Sequence, residues 1–133
     1  MVQREQVIEH LRRVRVFADC SDDELVAIDG VIDEVEYQAG DRLTQQGDPA
    51  GLWVVVAEGH ASVEKDGEEI AALLQGSFVG ELSLLDDTPQ NATVVAVTDV
   101  RAFVLTGDAF REVLEQSPVL RDKIERAAAD RRG

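Results

Sequence analysis

The sequence contains one cysteine, three prolines and no apolar run long enough to cross a membrane as a helix. Because Cys20 is the only cysteine, an internal disulfide is excluded, and a lone thiol gives no basis for assigning chemistry. The longest apolar stretches, at residues 52–57 and 71–74, fall far short of the roughly 20 residues that a membrane helix needs. The first residues, MVQREQVIEHLRR, lack the apolar block of a secretory signal. We therefore expect no membrane span and a cytoplasmic location.

Basic residues are scarce, with 13 Lys and Arg against 27 Asp and Glu, for a net charge of -14. Such a charge repels phosphate backbones and anionic membranes, so nucleic acid is not an expected partner. Between positions 16 and 110 the only basic residues are Arg42, Lys65 and Arg101. Two interpretations remain open: the middle of the chain has a solvated acidic surface, or the basic terminal segments pack against it.

Histidine is also scarce, since His10 and His60 are the only two. They are far apart in sequence and do not form the cluster that a metal site needs, so no metal site and no cofactor are predicted. Metal-dependent enzymes built on a jelly roll need several histidines, and we expect no enzymatic activity and no catalytic residues. Trp53 stands among valines in WVVVA, which favours a place in the core over a ligand-stacking role.

The apolar periodicity predicts one domain of residues 1–133 with helices at both ends and strands between them. Residues 1–32 are predicted to be helical, with a capping box formed by Ser21 and Glu24. Residues 33–106 alternate with a period of two and carry frequent turn signals, among them Asp66-Gly67, which is typical of a two-residue hairpin. Residues 107–133 are predicted to be helical, with a break near Pro118. The fold class is therefore mainly β: an antiparallel β-roll, or jelly-roll-like barrel, with N- and C-terminal α-helices.

The segment FVGELSLLDDTPQNATV, residues 78–94, is the best candidate for a ligand site. Gly80 permits a close approach of the backbone to a ligand, and residues 81–85 are predicted to form one turn of helix. The free N-H groups at the start of that turn could bind an anion. The mouth of a β-roll is a common place for such a site.

From about Val16 to Glu125 the chain resembles the cyclic nucleotide-binding domain family. The segment YQAGDRLTQQGDPAGLWVVVAEGHASV follows the family's pattern of turns and strands. Residues 78–92 match the family's phosphate-binding cassette, whose usual form is Phe-Gly-Glu-Leu-Ala-Leu, a short spacer and Pro-Arg-x-Ala. The resemblance implies that Glu81 accepts a hydrogen bond from a ribose hydroxyl and that the Leu82 and Ser83 amides meet a cyclic phosphate.

One position departs from the family pattern, because Gln90 stands where the cassette has the arginine that neutralises the phosphate. Glutamine has neither the charge nor the fork of a guanidinium, and residues 66–100 contain no Lys, Arg or His that could replace it. Cyclic AMP or cyclic GMP is therefore expected to bind weakly. The candidate ligand-binding residues are Phe78, Gly80, Glu81, Leu82, Ser83, Gln90, Asn91 and Ala92.

Some of these residues also have a purely structural interpretation. An acidic residue such as Glu81 in the first turn of a helix complements the helix dipole without any ligand. Asn91 lies beside a turn, where asparagine is common for conformational reasons.

Two classes of function remain. The first is a regulatory or sensing module that binds a cyclic nucleotide weakly or in an altered mode, with a cation supplied by the last helix from Arg121, Lys123 or Arg126. The second is a protein-interaction domain that has lost the ligand, its cassette empty or filled by its own chain.

The expected output of either is contact with an unknown protein partner. Residues 118–133 are too few for a helix-turn-helix unit, so no nucleic acid is expected to bind in cis. Self-association is expected to be weak, giving a monomer or a weak homodimer through the terminal helices. An apolar face for it is predicted from Val113, Leu114, Val119, Leu120 and Ile124.

Overall fold

The structure is a computed structural model that describes residues 4–132, with side chains from Ile8 onward. The outermost residues of the predicted domain, 1–3 and 133, lie outside the described residues. The described α-helices are α1 (Arg4–Arg12), α2 (Asp22–Asp29), α3 (Glu81–Asp86), α4 (Gly107–Gln116) and α5 (Pro118–Arg132). A short 3-10 turn at Arg15–Phe17 joins α1 to α2.

The strands form two antiparallel sheets. They are β1 (Asp33–Tyr37), β2 (Arg42–Thr44), β3 (Leu52–Glu58), β4 (Ala61–Lys65), β5 (Glu68–Leu73), β6 (Phe78–Val79), β7 (Thr93–Ala96) and β8 (Val100–Thr106). One sheet has the order β1-β8-β3-β6 and the other β2-β7-β4-β5. In the described part of the chain the two sheets do not share a ladder, so the roll is not a closed barrel. The predicted class, mainly β with helices at both ends, is confirmed.

Local sequence signals explain how the elements begin and turn. The Ser21 hydroxyl accepts from the Glu24 amide, and the Glu24 carboxylate accepts from the Ser21 amide, which is the predicted capping box. Asp66 and Gly67 both have positive φ, 54° and 84°, as the hairpin between β4 and β5 requires. Helix α4 ends at Gln116 and α5 begins at Pro118, because proline suits the first position of a helix.

The core has two layers, divided by the sheet that contains β3. Val54 and Val56 point between the two sheets, while Trp53 and Val55 point toward the helices. This is why WVVVA is apolar at every position, since β3 is covered on both faces. Trp53 is fully buried, with its ring 5.5 Å from that of Phe78, so the prediction of a core tryptophan is confirmed.

The prediction that the C-terminal helices offer an apolar face for self-association is wrong. Four of its five members are buried within the chain's own core: Val113, Leu114, Leu120 and Ile124. They pack in the layer between the helices and the β3 sheet, because α4 and α5 fold back onto the roll. Val119 alone among the five remains exposed.

Candidate functional site: the cassette pocket

The cassette, residues 78–92, is fixed at its start by Gly80. This residue has φ of +103° and forms the N-cap of α3. A Cβ atom at this position would lie 2.2 Å from the carbonyl oxygen of Leu52, which no side chain can tolerate. Only glycine therefore allows the short helix α3 to follow β6 against the backbone of β3.

The side chain of Glu81, the first residue of α3, is buried, with 1% of its surface exposed. Its carboxylate is bound by Arg131 of α5. Nη1 of Arg131 donates to both Glu81 oxygens, the Oε2 distance being 2.8 Å, and Nη2 donates to the carbonyl oxygen of Phe78 at 2.8 Å. The guanidinium carbon also lies 4.9 Å from the centre of the Phe78 ring. Burial lowers the pKa of Arg131, but an arginine remains charged at neutral pH.

The Gln90 side chain is also buried, with 8% exposed. The hydroxyl of Ser83 lies 3.1 Å from Oε1 of Gln90 and 3.3 Å from the carbonyl oxygen of Gly80, so it can donate to either. The backbone of Gln90 is anchored as well, since its N-H donates to the Asp48 carbonyl at 2.8 Å. Gln90 therefore ties the end of the cassette to α3 through neutral hydrogen bonds.

A cavity of about 310 Å³ opens between the cassette and the sheet that contains β4 and β5. The structure brings seven of the eight predicted site residues to its wall: Phe78, Gly80, Glu81, Leu82, Ser83, Asn91 and Ala92. Gln90 is not on the wall but lies behind Ser83. The opposite wall is apolar, formed by Val63, Ile70, Ala71, Ala72 and Leu73. We call this cavity the cassette pocket.

Two basic residues that line the cassette pocket were not predicted from the sequence. Lys65, the last residue of β4, and Arg131 both line the cassette pocket. Of the last helix, Arg131 lines this cavity, whereas Arg121, Lys123 and Arg126, the cations predicted from the sequence, do not. No local pattern pointed to Arg131, which lies 50 residues after Glu81. Lys65 is the last residue before the Asp66-Gly67 turn, and its place in the pocket follows from how the β4–β5 hairpin packs against the cassette.

A second arginine joins α5 to the cassette. Nε of Arg132 donates to Oδ2 of Asp86 at 3.0 Å, at the end of α3. This hydrogen bond raises the pKa of Arg132, and burial acts in the opposite direction. Basic residues of the C-terminal segment therefore do pack against the acidic middle of the chain, at Glu81 and Asp86.

No group of three or more His, Cys, Asp or Glu side chains that could hold a metal occurs in the part of the chain that the structure describes. None of its helices combines the length and apolar character needed to span a membrane.

Comparison with known proteins identifies the family. A family model for the cyclic nucleotide-binding domain matches residues 34–117. A cAMP-dependent protein kinase regulatory subunit of Aspergillus niger is 33% identical over 115 residues, which is 84% of this chain and 28% of that protein. The chain thus spans little more than a quarter of this curated relative.

Two solved structures have the same fold. The regulatory subunit of a cAMP-independent protein kinase A from Trypanosoma brucei superimposes with a TM-score of 0.85 at 22% identity, covering 95% of this chain and 46% of that one. A triple mutant of the regulatory subunit from that organism, bound to cAMP in its A site, gives a TM-score of 0.81 at 25% identity, over 94% and 47% of the two chains. Since the family model alone matches well over half of the sequence, the chain belongs to the cyclic nucleotide-binding domain family.

Proposed function

We propose that this domain is a regulatory module that binds cyclic AMP or cyclic GMP only weakly, because its cassette lacks the phosphate-neutralising arginine. The observation that carries the proposal is the buried, neutral Gln90, hydrogen-bonded to Ser83 behind the pocket wall. Leaving a partly buried phosphate without its cation costs roughly 3 to 5 kcal/mol, or about two to four decades of affinity. The module has no catalytic role in this proposal and acts through an unidentified protein partner, in the cytoplasm, as a monomer or weak homodimer.

The other groups that line the pocket have the chemistry that a nucleotide needs. Glu81 would accept from the ribose hydroxyls, the Leu82 and Ser83 amides would face the phosphate, and the apolar wall of β4 and β5 would contact the base. Asn91 would place an amide near the phosphate or base. The relative from Trypanosoma brucei supports the proposal, because it has the same fold in a kinase that is cAMP-independent. Its cAMP-bound variant has three substitutions, one of which introduces an arginine.

A second candidate function is a protein-interaction domain whose cassette is occupied by its own chain. The observation that favours it is the contact of Arg131 with Glu81, since the guanidinium uses both carboxylate oxygens that a ribose would need. A nucleotide would have to share or displace this arginine. In this alternative the α5 contact is permanent and no nucleotide binds.

Calorimetry with cyclic AMP and cyclic GMP tests the proposal. The natural protein is expected to have dissociation constants above roughly 100 μM, equivalent to about 5.5 kcal/mol or less. Gln90→Arg restores a charged fork and is expected to tighten binding by about tenfold or more. Adding Glu81→Ala to that variant is expected to reverse much of this increase in nucleotide affinity.

Three results are decisive. Tight binding of either cyclic nucleotide by the natural protein would contradict the proposal that the missing arginine weakens binding. A folded Gln90→Arg variant that still binds nothing would favour the ligand-free alternative. If Arg131→Gln then restores binding in the Gln90→Arg background, self-occupancy of Glu81 is the reason for the failure.

A further inference from the structure

A second cavity lies on the other side of Phe78 from the cassette pocket. It has a volume of about 290 Å³ and lies between the 3-10 turn, the turn that joins β5 to β6, and α5. We call it the cationic cleft, and its lining residues are Arg15, Val16, Gly76, Ser77, Phe78, Lys123, Ala127 and Arg131. Three of the eight are basic and none is acidic, in a chain with a net charge of -14.

The charge in the cleft is only partly neutralised. Nζ of Lys123 is 2.8 Å from Oδ2 of Asp19, and Arg131 is bound to Glu81, but neither acid is part of the lining. Among the described residues Arg15 has no carboxylate within ion-pair distance. Its Cβ lies beside the β5–β6 turn, 3.4 Å from the position that a Cβ on Gly76 would occupy. The cleft therefore has an excess of positive charge, which attracts anions.

We propose that the cationic cleft binds the phosphate group of a small phosphorylated molecule. Two guanidinium groups and one ammonium match a dianion with three acceptor oxygens better than they match a single carboxylate. The cavity volume lies just below the range of about 300 to 1,000 Å³ that is typical of sites for drug-sized molecules, so the ligand is expected to be small. Val16, Phe78 and Ala127 provide apolar surface for a small organic group attached to the phosphate.

Arg131 connects this cleft to the cassette pocket, since it lines both. An anion in the cleft attracts the guanidinium and weakens its hold on Glu81, and a ribose on Glu81 leaves the guanidinium free to meet the anion. Each ligand is therefore expected to favour the other, because coupling between two binding sites is reciprocal. Only this coupling between the two cavities rests on the proposed function; the binding of a phosphate group in the cationic cleft does not.

The test uses phenyl phosphate as the probe, at constant ionic strength and without any cyclic nucleotide. Chemical shifts of the isotope-labelled protein are followed at the Gly76 and Ser77 amides. Saturable shifts are expected there. Arg15→Gln and Lys123→Gln are each expected to weaken binding by about fivefold or more, as the loss of a charged phosphate contact does. Arg126→Gln is the matched control, because it removes the same charge from an exposed position of α5 outside the cleft.

Arg15 is exposed, so Arg15→Gln is expected to fold normally even if Lys123→Gln loses the ion pair to Asp19. The proposal is overturned if the Gly76 and Ser77 shifts do not saturate, or if Arg126→Gln weakens binding as much as Arg15→Gln does. It is also overturned if the probe shifts the Leu82 and Ser83 amides instead, since the anion would then occupy the cassette. That last result would separately contradict the proposed loss of phosphate affinity there.

Discussion

The Arg131 guanidinium is bound to the Glu81 carboxylate across the cassette, joining the last helix to the first residue of α3. Glu81 is almost fully buried, while 37% of the Arg131 side chain is exposed. Because the carboxylate is out of contact with water, this arginine compensates a charge that would otherwise be buried alone. The pair is therefore both a structural contact and a barrier to any ligand that needs Glu81.

The first prediction concerns the strength of this pair. Arg131→Gln is expected to lower the free energy of unfolding by roughly 1 to 3 kcal/mol, because it leaves a buried carboxylate without its cation. Arg132→Gln, whose partner Asp86 is 39% exposed, is expected to cost less than about 1 kcal/mol. Urea unfolding of both variants, of Glu81→Gln, and of Arg131→Gln combined with Glu81→Gln gives the coupling energy of the Arg131–Glu81 pair. Equal losses for Arg131→Gln and Arg132→Gln would mean that burial of Glu81 does not matter.

The second prediction concerns the backbone at the start of the cassette. Gly80→Ala is expected to destabilise the fold by about 2 kcal/mol or more, since it adds a clash to an unfavourable backbone conformation. Gly40→Ala is the control, because Gly40 has a similar φ of +96° but nothing within 4 Å of the added Cβ. Its cost is expected to be about 1 kcal/mol, from the conformation alone. A Gly80→Ala variant as stable as Gly40→Ala in urea would show that β3 can move away.

The extent of the roll follows from local information in the sequence. Side chains in a strand alternate with a period of two, and residues such as Asp66 and Gly67 accept the positive φ that a tight turn imposes. The short helix α3 is encoded in the same local way. The prediction of these elements did not require knowing what packs against them.

The contacts of the C-terminal helices could not be predicted in this way. An apolar stripe such as Leu120 and Ile124 looks the same whether it packs inside the chain or against a second copy. The contact of Arg131 with Glu81 depends on where α5 crosses the roll, which no local pattern specifies. The sequence therefore favours Arg121, Lys123 and Arg126 and gives no signal for Arg131.

The third prediction is a loss of stability in acid. Burial raises the pKa of Glu24, but hydrogen bonds from Ser117 and Ser21 outweigh it and leave the pKa below the ordinary value of 4.5. A carboxyl group with a lowered pKa in the folded state stabilises the fold above its unfolded pKa. That contribution is lost as the pH falls through the lower, folded value. The pKa of Asp19, lowered by its hydrogen bond to Lys123, acts in the same direction.

We therefore expect the free energy of unfolding to be steady from pH 7 to about pH 5 and to decrease below about pH 4.5. Urea unfolding between pH 7 and pH 3 measures this, and Glu24→Gln serves as the comparison. The variant is expected to be less stable at pH 7 and to lose less stability on acidification. If the two proteins lose stability in parallel, Glu24 is not the group responsible.

The last prediction concerns Lys65, which lines the cassette pocket from the end of β4. Gln90 is neutral, and Arg131 is bound to Glu81. Among the described residues that line the pocket, Lys65 is therefore the cation that has no carboxylate within ion-pair distance. Residual binding of a nucleotide phosphate should therefore depend on it. Lys65→Gln is expected to weaken cyclic AMP binding by about two- to fivefold, the size of a screened charge interaction near a surface.

Chemical-shift titration with cyclic AMP at millimolar concentration measures this effect, since weak binding is in fast exchange. Arg42→Gln removes the same charge from β2, away from the pocket, and is expected to change the affinity by less than about twofold, because exposed distant charges are screened. In the Gln90→Arg background the Lys65→Gln effect should shrink, since the restored guanidinium then meets the phosphate. An unchanged affinity in Lys65→Gln, or an equal loss in Arg42→Gln, would show that Lys65 does not face the ligand.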